Sequence, residues 1–242
     1  MKILLAPSET KSEGGDFPPL SQAKNLLFYS NEVIDTYEEY LKKSSLEELS
    51  EWFGIKNLKE VEKYKSSVLV KPTKKAIERY TGVAYEAIDY PNLDSKTQEF
   101  IDKNVVIYSN LFGVVLASNL IPDYKFKQTA LLPNLNTEKY YAKHLKSLLD
   151  NYLGDEVLDL SAGYYLKFYK PKANVITYKF LKGGKVVSHF AKHYRGELVK
   201  QIALNNITSF AELMNFQFEN LSLLEIQQKG NLKTIIMEIS EK

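Results

Sequence analysis

Apolar and polar residues alternate along the chain at two different periods, and the two regimes are interleaved. Ile3–Ala6 is a short apolar run closed by Pro7, as expected of a buried strand. A polar loop follows over 8–19, with a Gly14-Gly15-Asp16 turn and a Pro18-Pro19 stop. From Leu20 to Lys43 the apolar positions Leu26, Leu27, Ile34, Tyr37, Tyr40 and Leu41 fall on one helical stripe. Ser45 with Glu48 has the form of a capping box opening a second helix, which Gly54 ends, and Asn57 can cap a third through Tyr64. Pro72 is expected to start a helix over 73–80, and helices are also expected over 93–103, 137–152 and 190–203. In the last of these, Ala191, Tyr194, Leu198 and Ile202 face inward while Lys192, Gly196 and Lys200 face out.

Strand patterns occur at Val105–Tyr108, Glu156–Leu160 and Asn174–Leu181. Gly183-Gly184 makes a two-residue hairpin turn, and residues 216–227 and 232–239 form a closing hairpin around Gly230-Asn231. Strands and helices mix throughout, with no internal repeat and no low-complexity linker. The expected fold is one α/β domain over 1–242, a mixed β-sheet flanked by helices, with a helix-hairpin-helix-like segment over 44–67.

Composition then excludes several classes. Hydrophobic residues make up 44% of the 242, too many for a disordered chain. Apolar runs are too short to span a membrane. There is no cysteine, hence no disulfide, thiolate metal site or cysteine nucleophile. The chain opens on a strand pattern rather than a leader, so a cytoplasmic protein is expected.

The net charge of +2 hides a division. Residues 32–62 hold nine acids and four bases, 4 − 9 = −5, whereas 164–200 hold nine bases and one acid, 9 − 1 = +8. A basic stretch of that size points to an anionic partner. Arginine occurs only at Arg79 and Arg195, and its planar fork suits phosphate or carboxylate.

Three strand ends carry polar residues: Ser8-Glu9-Thr10-Lys11, Ser109-Asn110 and Ser161. Carboxyl ends of strands build the sites of open α/β sheets, so these loops are expected to converge with Arg79 and Arg195 nearby. Ser8 and Lys11 could form a Ser–Lys nucleophile, or Lys11 and Arg79 could clamp an anion. The opening loop is not a P-loop, because the Gly-Lys-Ser/Thr order is missing. His189 and His193 share a helix face, but two ligands beside Lys192 and Arg195 suit phosphate better than a metal. No metal and no cofactor is expected.

Three segments in order resemble the YaaA family of bacterial peroxide-stress proteins: Met1–Lys11, Arg79–Tyr85, and Tyr108–Val114 with Pro122-Asp123-Tyr124-Lys125. Tyr165-Leu166-Lys167, Lys170-Pro171-Lys172, Ala191-Lys192 and Arg195-Gly196 extend the resemblance along the chain. It implies a positively charged cleft, affinity for double-stranded DNA without sequence specificity, and limitation of free intracellular iron and oxidative damage. The expected DNA contacts are Lys167, Lys170, Lys172, Lys192, Arg195, Lys200 and the turn at Gly54. A second reading is an enzyme acting on a small anionic ligand such as a nucleotide or a DNA base, with Ser8, Glu9, Lys11, Arg79, Tyr80 and Ser109 lining its cleft and Tyr85, Tyr124 and Lys125 as further candidates. A third is a globular domain with its basic residues scattered and no specific ligand.

Overall fold

The computed structural model describes residues 1–23 and 26–240, apart from the side chains at 188 and 189. Its elements in chain order are β1 (Lys2–Leu5), β2 (Phe17–Pro19), α1 (Asn31–Lys43), α2 (Leu46–Phe53), α3 (Leu58–Lys65), β3 (Pro72–Lys75), α4 (Ala76–Arg79), α5 (Val83–Ile88), α6 (Ser95–Asn104), β4 (Val105–Ser109), β5 (Gly113–Leu116) and β6 (Leu120–Pro122). The second half continues with α7 (Thr137–Tyr152), β7 (Glu156–Leu160), β8 (Asn174–Lys182), β9 (Lys185–Val186), α8 (Ser188–Leu204), α9 (Phe210–Asn215), β10 (Leu221–Lys229) and β11 (Leu232–Ile239).

The main sheet runs β10-β11-β8-β7-β1-β4-β5, with β9 paired to β8. Its centre, β11-β8-β7-β1-β4, is parallel, and β10, β9 and β5 are antiparallel additions. Every residue of β4 is buried, as are Ile3, Leu4 and Leu5 of β1. Continuous burial of this kind means that both faces of the central strands are covered, as parallel strands require. The mixed α/β fold is the one read from the pattern. A small antiparallel sheet, β2-β3-β6, stands apart from the main one.

The order places β1 between β4 and β7. The chain leaves β1 for β4 on one side, then returns for β7 and β8 on the other. This reversal is a switch point, and it opens a crevice beyond the carboxyl ends of the strands.

Local signals explain several boundaries. The Ser45–Glu48 capping box forms at the start of α2, Gly54 ends it with φ 69°, and the Asn57 side chain caps α3. Two helices thus flank the Gly54 turn. Trp52 on α2 packs against Tyr40 and Phe126, and its indole N–H donates to the Leu131 carbonyl at 2.9 Å.

Three expectations are corrected. The helix expected over 20–43 begins only at Asn31, where the Ser30 hydroxyl accepts from Val33 N. The stretch before it includes residues 24 and 25, which lie outside the described residues. Pro72–Lys75 is a strand rather than the start of a helix, because it pairs with β6 in the register Thr73–Pro122, Lys74–Ile121. Only one helical turn, α4, follows. Gly196 does not face out: it is buried where α8 crosses α5, and a Cβ there would stand 2.1 Å from the Ala84 carbonyl oxygen.

Arg79 is the largest fully buried side chain. Its Nε donates to Ile121 O at 3.2 Å, Nη1 to Ser12 O, and Nη2 to Gly14 O at 2.7 Å and Pro72 O at 3.3 Å. One guanidinium therefore ties the 8–19 loop to both β3 and β6. Only arginine offers five donors in a rigid fork.

Two outcomes follow from these contacts. Arg79→Met should lower unfolding stability by about 3 kcal/mol, read from the urea midpoint, because buried carbonyls lose their donors. Arg79→Lys should recover less than half of that loss. Gly196→Ala should cost about 2 kcal/mol through backbone overpacking, with α5 and α8 pushed apart.

Candidate functional site

The crevice beyond β1, β4 and β7 holds a cavity of about 400 Å³. Its wall takes Leu5–Lys11 from the end of β1, Asn110 from the end of β4, and Leu160 and Ala162 from the end of β7. Thr81–Tyr85, Tyr124, Phe126, Gln128, Tyr165, Lys192 and Arg195 complete it. The three strand ends read from the sequence do meet here.

The loop after β1 is held by pairing with residues 79–82. Ser12 N donates to Arg79 O at 2.8 Å and Thr81 N to Thr10 O at 3.1 Å, with Lys11 and Tyr80 bridged between them. The Thr10 hydroxyl donates to Thr81 O at 3.2 Å, and the Tyr85 hydroxyl donates to Ala6 O at 2.8 Å. Gly82 completes the turn at φ 97°, a conformation that other residues rarely adopt. Its missing Cβ would stand 3.3 Å from both the Ser8 and Thr10 hydroxyl oxygens.

Lys11 is the notable side chain of the wall. Its Nζ sits 4.3 Å from the Tyr124 ring centroid and 5.3 Å from that of Tyr80. It donates to the Ser8 carbonyl at 3.3 Å and the Glu9 carbonyl at 3.5 Å. Among the described residues no carboxylate lies within ion-pair distance of it. Burial pushes its ammonium down to about 7, the positive Lys125 adds to this, and Asp123 and Glu9 oppose it. The Lys11 amine reaches the Ser8 carbonyl and not the Ser8 hydroxyl, which pairs with Thr10 Oγ1 at 3.0 Å. The structure therefore does not form the Ser–Lys nucleophile.

From α8 the same cavity takes Lys192, which is exposed, and Arg195, which is half-buried. Burial lowers the Arg195 guanidinium, and Asp159 counteracts this. Burial in turn raises the Asp159 carboxyl, whose Oδ1 accepts from Ser161 N at 2.9 Å. Ser161 is thus a turn residue at the end of β7, while its neighbours line the wall.

Four expected cleft residues stand behind the wall rather than on it. Arg79 is spent on backbone carbonyls and is no anion clamp. Ser109 and Tyr80 join Tyr124 in a buried hydroxyl chain, Ser109–Tyr124 and Tyr80–Tyr124 both at 2.8 Å. Burial raises Tyr80 to about 12, so it stays protonated. The Ser109 hydroxyl also accepts from Phe112 N at 3.0 Å, which fixes the turn into β5. Lys125 does not reach the wall, but its charge bears on Lys11.

The expected DNA contacts divide in the same way. Lys192 and Arg195 face the cavity. Lys167 pairs with Glu138 at 3.3 Å, Lys172 with Asp150 at 3.0 Å and Lys200 with Asp89 at 3.4 Å. Lys170 is exposed. Gly54 stands against Lys127, whose Nζ is 3.6 Å from where a Gly54 Cβ would be. His193 is exposed, and the side chain of its sequence partner His189 lies outside the described residues.

Phe126 and Gln128 were not anticipated. They flank Lys127, so the 126–128 segment joins the cavity wall to the Gly54 turn. No local pattern marks them, because the wall uses a loop with no strand or helix period. Asn110 anchors that loop by donating to Phe126 O at 3.0 Å.

Comparison with known proteins covers most of the chain. The family model described as peroxide stress protein YaaA matches residues 1–227. The chain is 47% identical over 244 residues to an uncharacterized protein of Campylobacter jejuni, covering 99% of each. It is 31% identical over 225 residues to a UPF0246 protein of Corynebacterium glutamicum, covering 85% of this chain and 86% of the relative. A UPF0246 protein of Streptomyces coelicolor is 30% identical over 215 residues, covering 84% and 82%.

The Lys11 environment has a measurable consequence. A lysine whose folded value is lowered binds fewer protons than the unfolded chain between about 7 and 10.5. Stability therefore rises with pH across that window, by at most about 1.4 kcal/mol per unit, and the cost of the buried charge is constant below it. Denaturant unfolding of Lys11→Met should lack this contribution. The variant gains on the parent as pH falls from 10.5 to 7, and the difference levels off below 7.

Proposed function

Because the chain belongs to the YaaA family of peroxide-stress proteins, we propose that it acts under peroxide stress by binding double-stranded DNA without sequence preference, seating a backbone phosphate between Lys192 and Arg195. The observation that carries this reading is that these two cations open on one cavity, with no carboxylate in ion-pair distance among the described residues. Lys127 beside Gly54 extends the track along the 126–128 segment. The tertiary ion pairs of Lys167, Lys172 and Lys200 give them a smaller part. In this reading the physiological outcome is the one the family resemblance implies, lower free iron and less oxidative damage to DNA and protein. Protection does not run through thiol oxidation in this chain, which has no cysteine.

A second reading, that the cavity is an enzyme site for a small anionic substrate, is favoured by one specific observation. Glu9, Lys11 and Tyr85 share a concave wall with Arg195, and among the described residues no carboxylate lies within ion-pair distance of the Lys11 amine.

A duplex-DNA titration at several salt concentrations tests the first reading. Affinity should fall linearly on logarithmic axes, with a slope reduced by about 0.9 for each phosphate contact removed. Arg195→Ala and Lys192→Ala should each flatten the slope and weaken binding severalfold, and Lys167→Ala and Lys172→Ala should do so less. No binding at low salt, or a salt-independent signal, sinks the reading.

A further inference from the structure

We propose that Lys11 is a carbonyl-capturing amine, forming an imine with the ring-opened aldehyde of a phosphorylated sugar whose phosphate rests on Arg195 and Lys192. This rests on the second reading of the cavity, as the site of a small anionic substrate, and names its substrate class and reacting atom.

Geometry carries the assignment. A neutral lysine amine has two N–H bonds and one lone pair. Two carbonyls, those of Ser8 and Glu9, stand at 3.3 and 3.5 Å to take the two N–H bonds. The lone pair is then free on the amine of a residue that lines the cavity. Among the described residues no carboxylate lies within ion-pair distance of the nitrogen, which stands 4.3 Å from the Tyr124 ring centroid and 5.3 Å from that of Tyr80. Desolvation beside further positive charge is the environment in which lysine becomes a nucleophile near neutral pH. The lowered Lys11 value agrees with that environment.

The part of the wall contributed by α8 defines the rest of the substrate. Arg195 and Lys192 are donors suited to phosphate oxygens. About 400 Å³ suits a sugar phosphate or a single nucleotide unit. An aldehyde for the amine and a phosphate for the cations match the two kinds of group in the wall.

The step balances without a co-reactant. The Lys11 nitrogen bonds to the carbonyl carbon as the carbonyl π bond breaks, giving a carbinolamine. The oxygen then carries away both amine hydrogens as water, and a C=N bond remains. No oxidant or reductant enters. The same aldehyde has two sources: a free sugar phosphate, or the deoxyribose of an abasic site in duplex DNA.

Reductive trapping tests this. Full-length protein is incubated with cyanoborohydride and either ribose 5-phosphate or a duplex oligonucleotide carrying one abasic site, and the adduct is mapped by peptide mass spectrometry. Labelling should saturate and should favour Lys11 at least tenfold over the mean of the other lysines. Trapping with ribose 5-phosphate assigns a metabolite, and trapping with the abasic duplex alone assigns a DNA lesion; either supports the proposal. Lys11→Arg should lose the adduct, and Arg195→Ala should slow labelling by ribose 5-phosphate more than by ribose. Mapping on the parent protein stands even if Lys11→Arg folds poorly. Label spread over surface lysines in proportion to exposure, with both aldehydes, overturns the proposal. Intact-duplex binding measured on the same preparation separates the two ideas. Binding without trapping removes only the imine, and trapping without binding removes only the DNA reading.

Discussion

Parallel pairing of β1 on both of its edges is the constraint on which the rest of the molecule depends. Ile3, Leu4 and Leu5 align with Val105, Val106 and Ile107 on one side and with Leu158, Asp159 and Leu160 on the other. Three strands held in one direction must end at one edge, so the loops that follow them open on a common space. The cavity is a product of sheet order before it is a product of any side chain. The loop after β1 has no such internal order, and it borrows rigidity from 79–82. Behind that pairing, the Arg79 guanidinium fixes the far end of the loop on four carbonyls.

Arg79 also shows where composition misleads. Rarity in the chain marked both arginines for attention, and both prove to be specific residues, but with different roles. Arg195 faces the cavity, whereas Arg79 serves the backbone. A fork of five donors suits buried peptide carbonyls as well as it suits phosphate, and sequence alone does not distinguish these acceptors. The +8 stretch carries a similar lesson. Lys167, Lys172 and Lys200 find Glu138, Asp150 and Asp89, all earlier in the chain and outside the stretch itself. A charge tally over a window is one-dimensional and ion pairs are tertiary, so the field left for a partner is smaller than the tally.

What was legible in the sequence follows the range of the forces involved. Caps and turns are local, and Ser45–Glu48, Gly54, Asn57 and the Gly183-Gly184 hairpin stand where their chemistry puts them. Strand ends with polar residues announced the site. Pro72–Lys75 is not legible, because its strand exists through pairing with distant β2 and β6 and not through any β-rich pattern of its own. Helical period alone puts Gly196 on the outer face, because a residue without a side chain carries no hydropathy, yet the close approach of α5 to α8 is what requires glycine there. Phe126 and Gln128 were invisible for a related reason: a loop that lines a wall through tertiary anchoring has no period to read.

The absence of cysteine gains meaning beside the lysine at the cavity wall. A thiolate nucleophile is the first side chain that peroxide oxidises, and at the higher steps of the ladder it does not recover. A protein that must keep working while peroxide is present is better served by a nucleophile outside that chemistry. A lysine amine meets the requirement only if it is held neutral near physiological pH, since the ordinary ammonium has no lone pair to offer. Burial and the nearby positive charge of Lys125 supply that condition together. The same burial costs stability whenever the amine is protonated, and a fold that retained such a lysine for packing alone would be better served by methionine. The balance of burial against charge at Lys11 is therefore set by the loop that the β1 pairing and Arg79 hold in place.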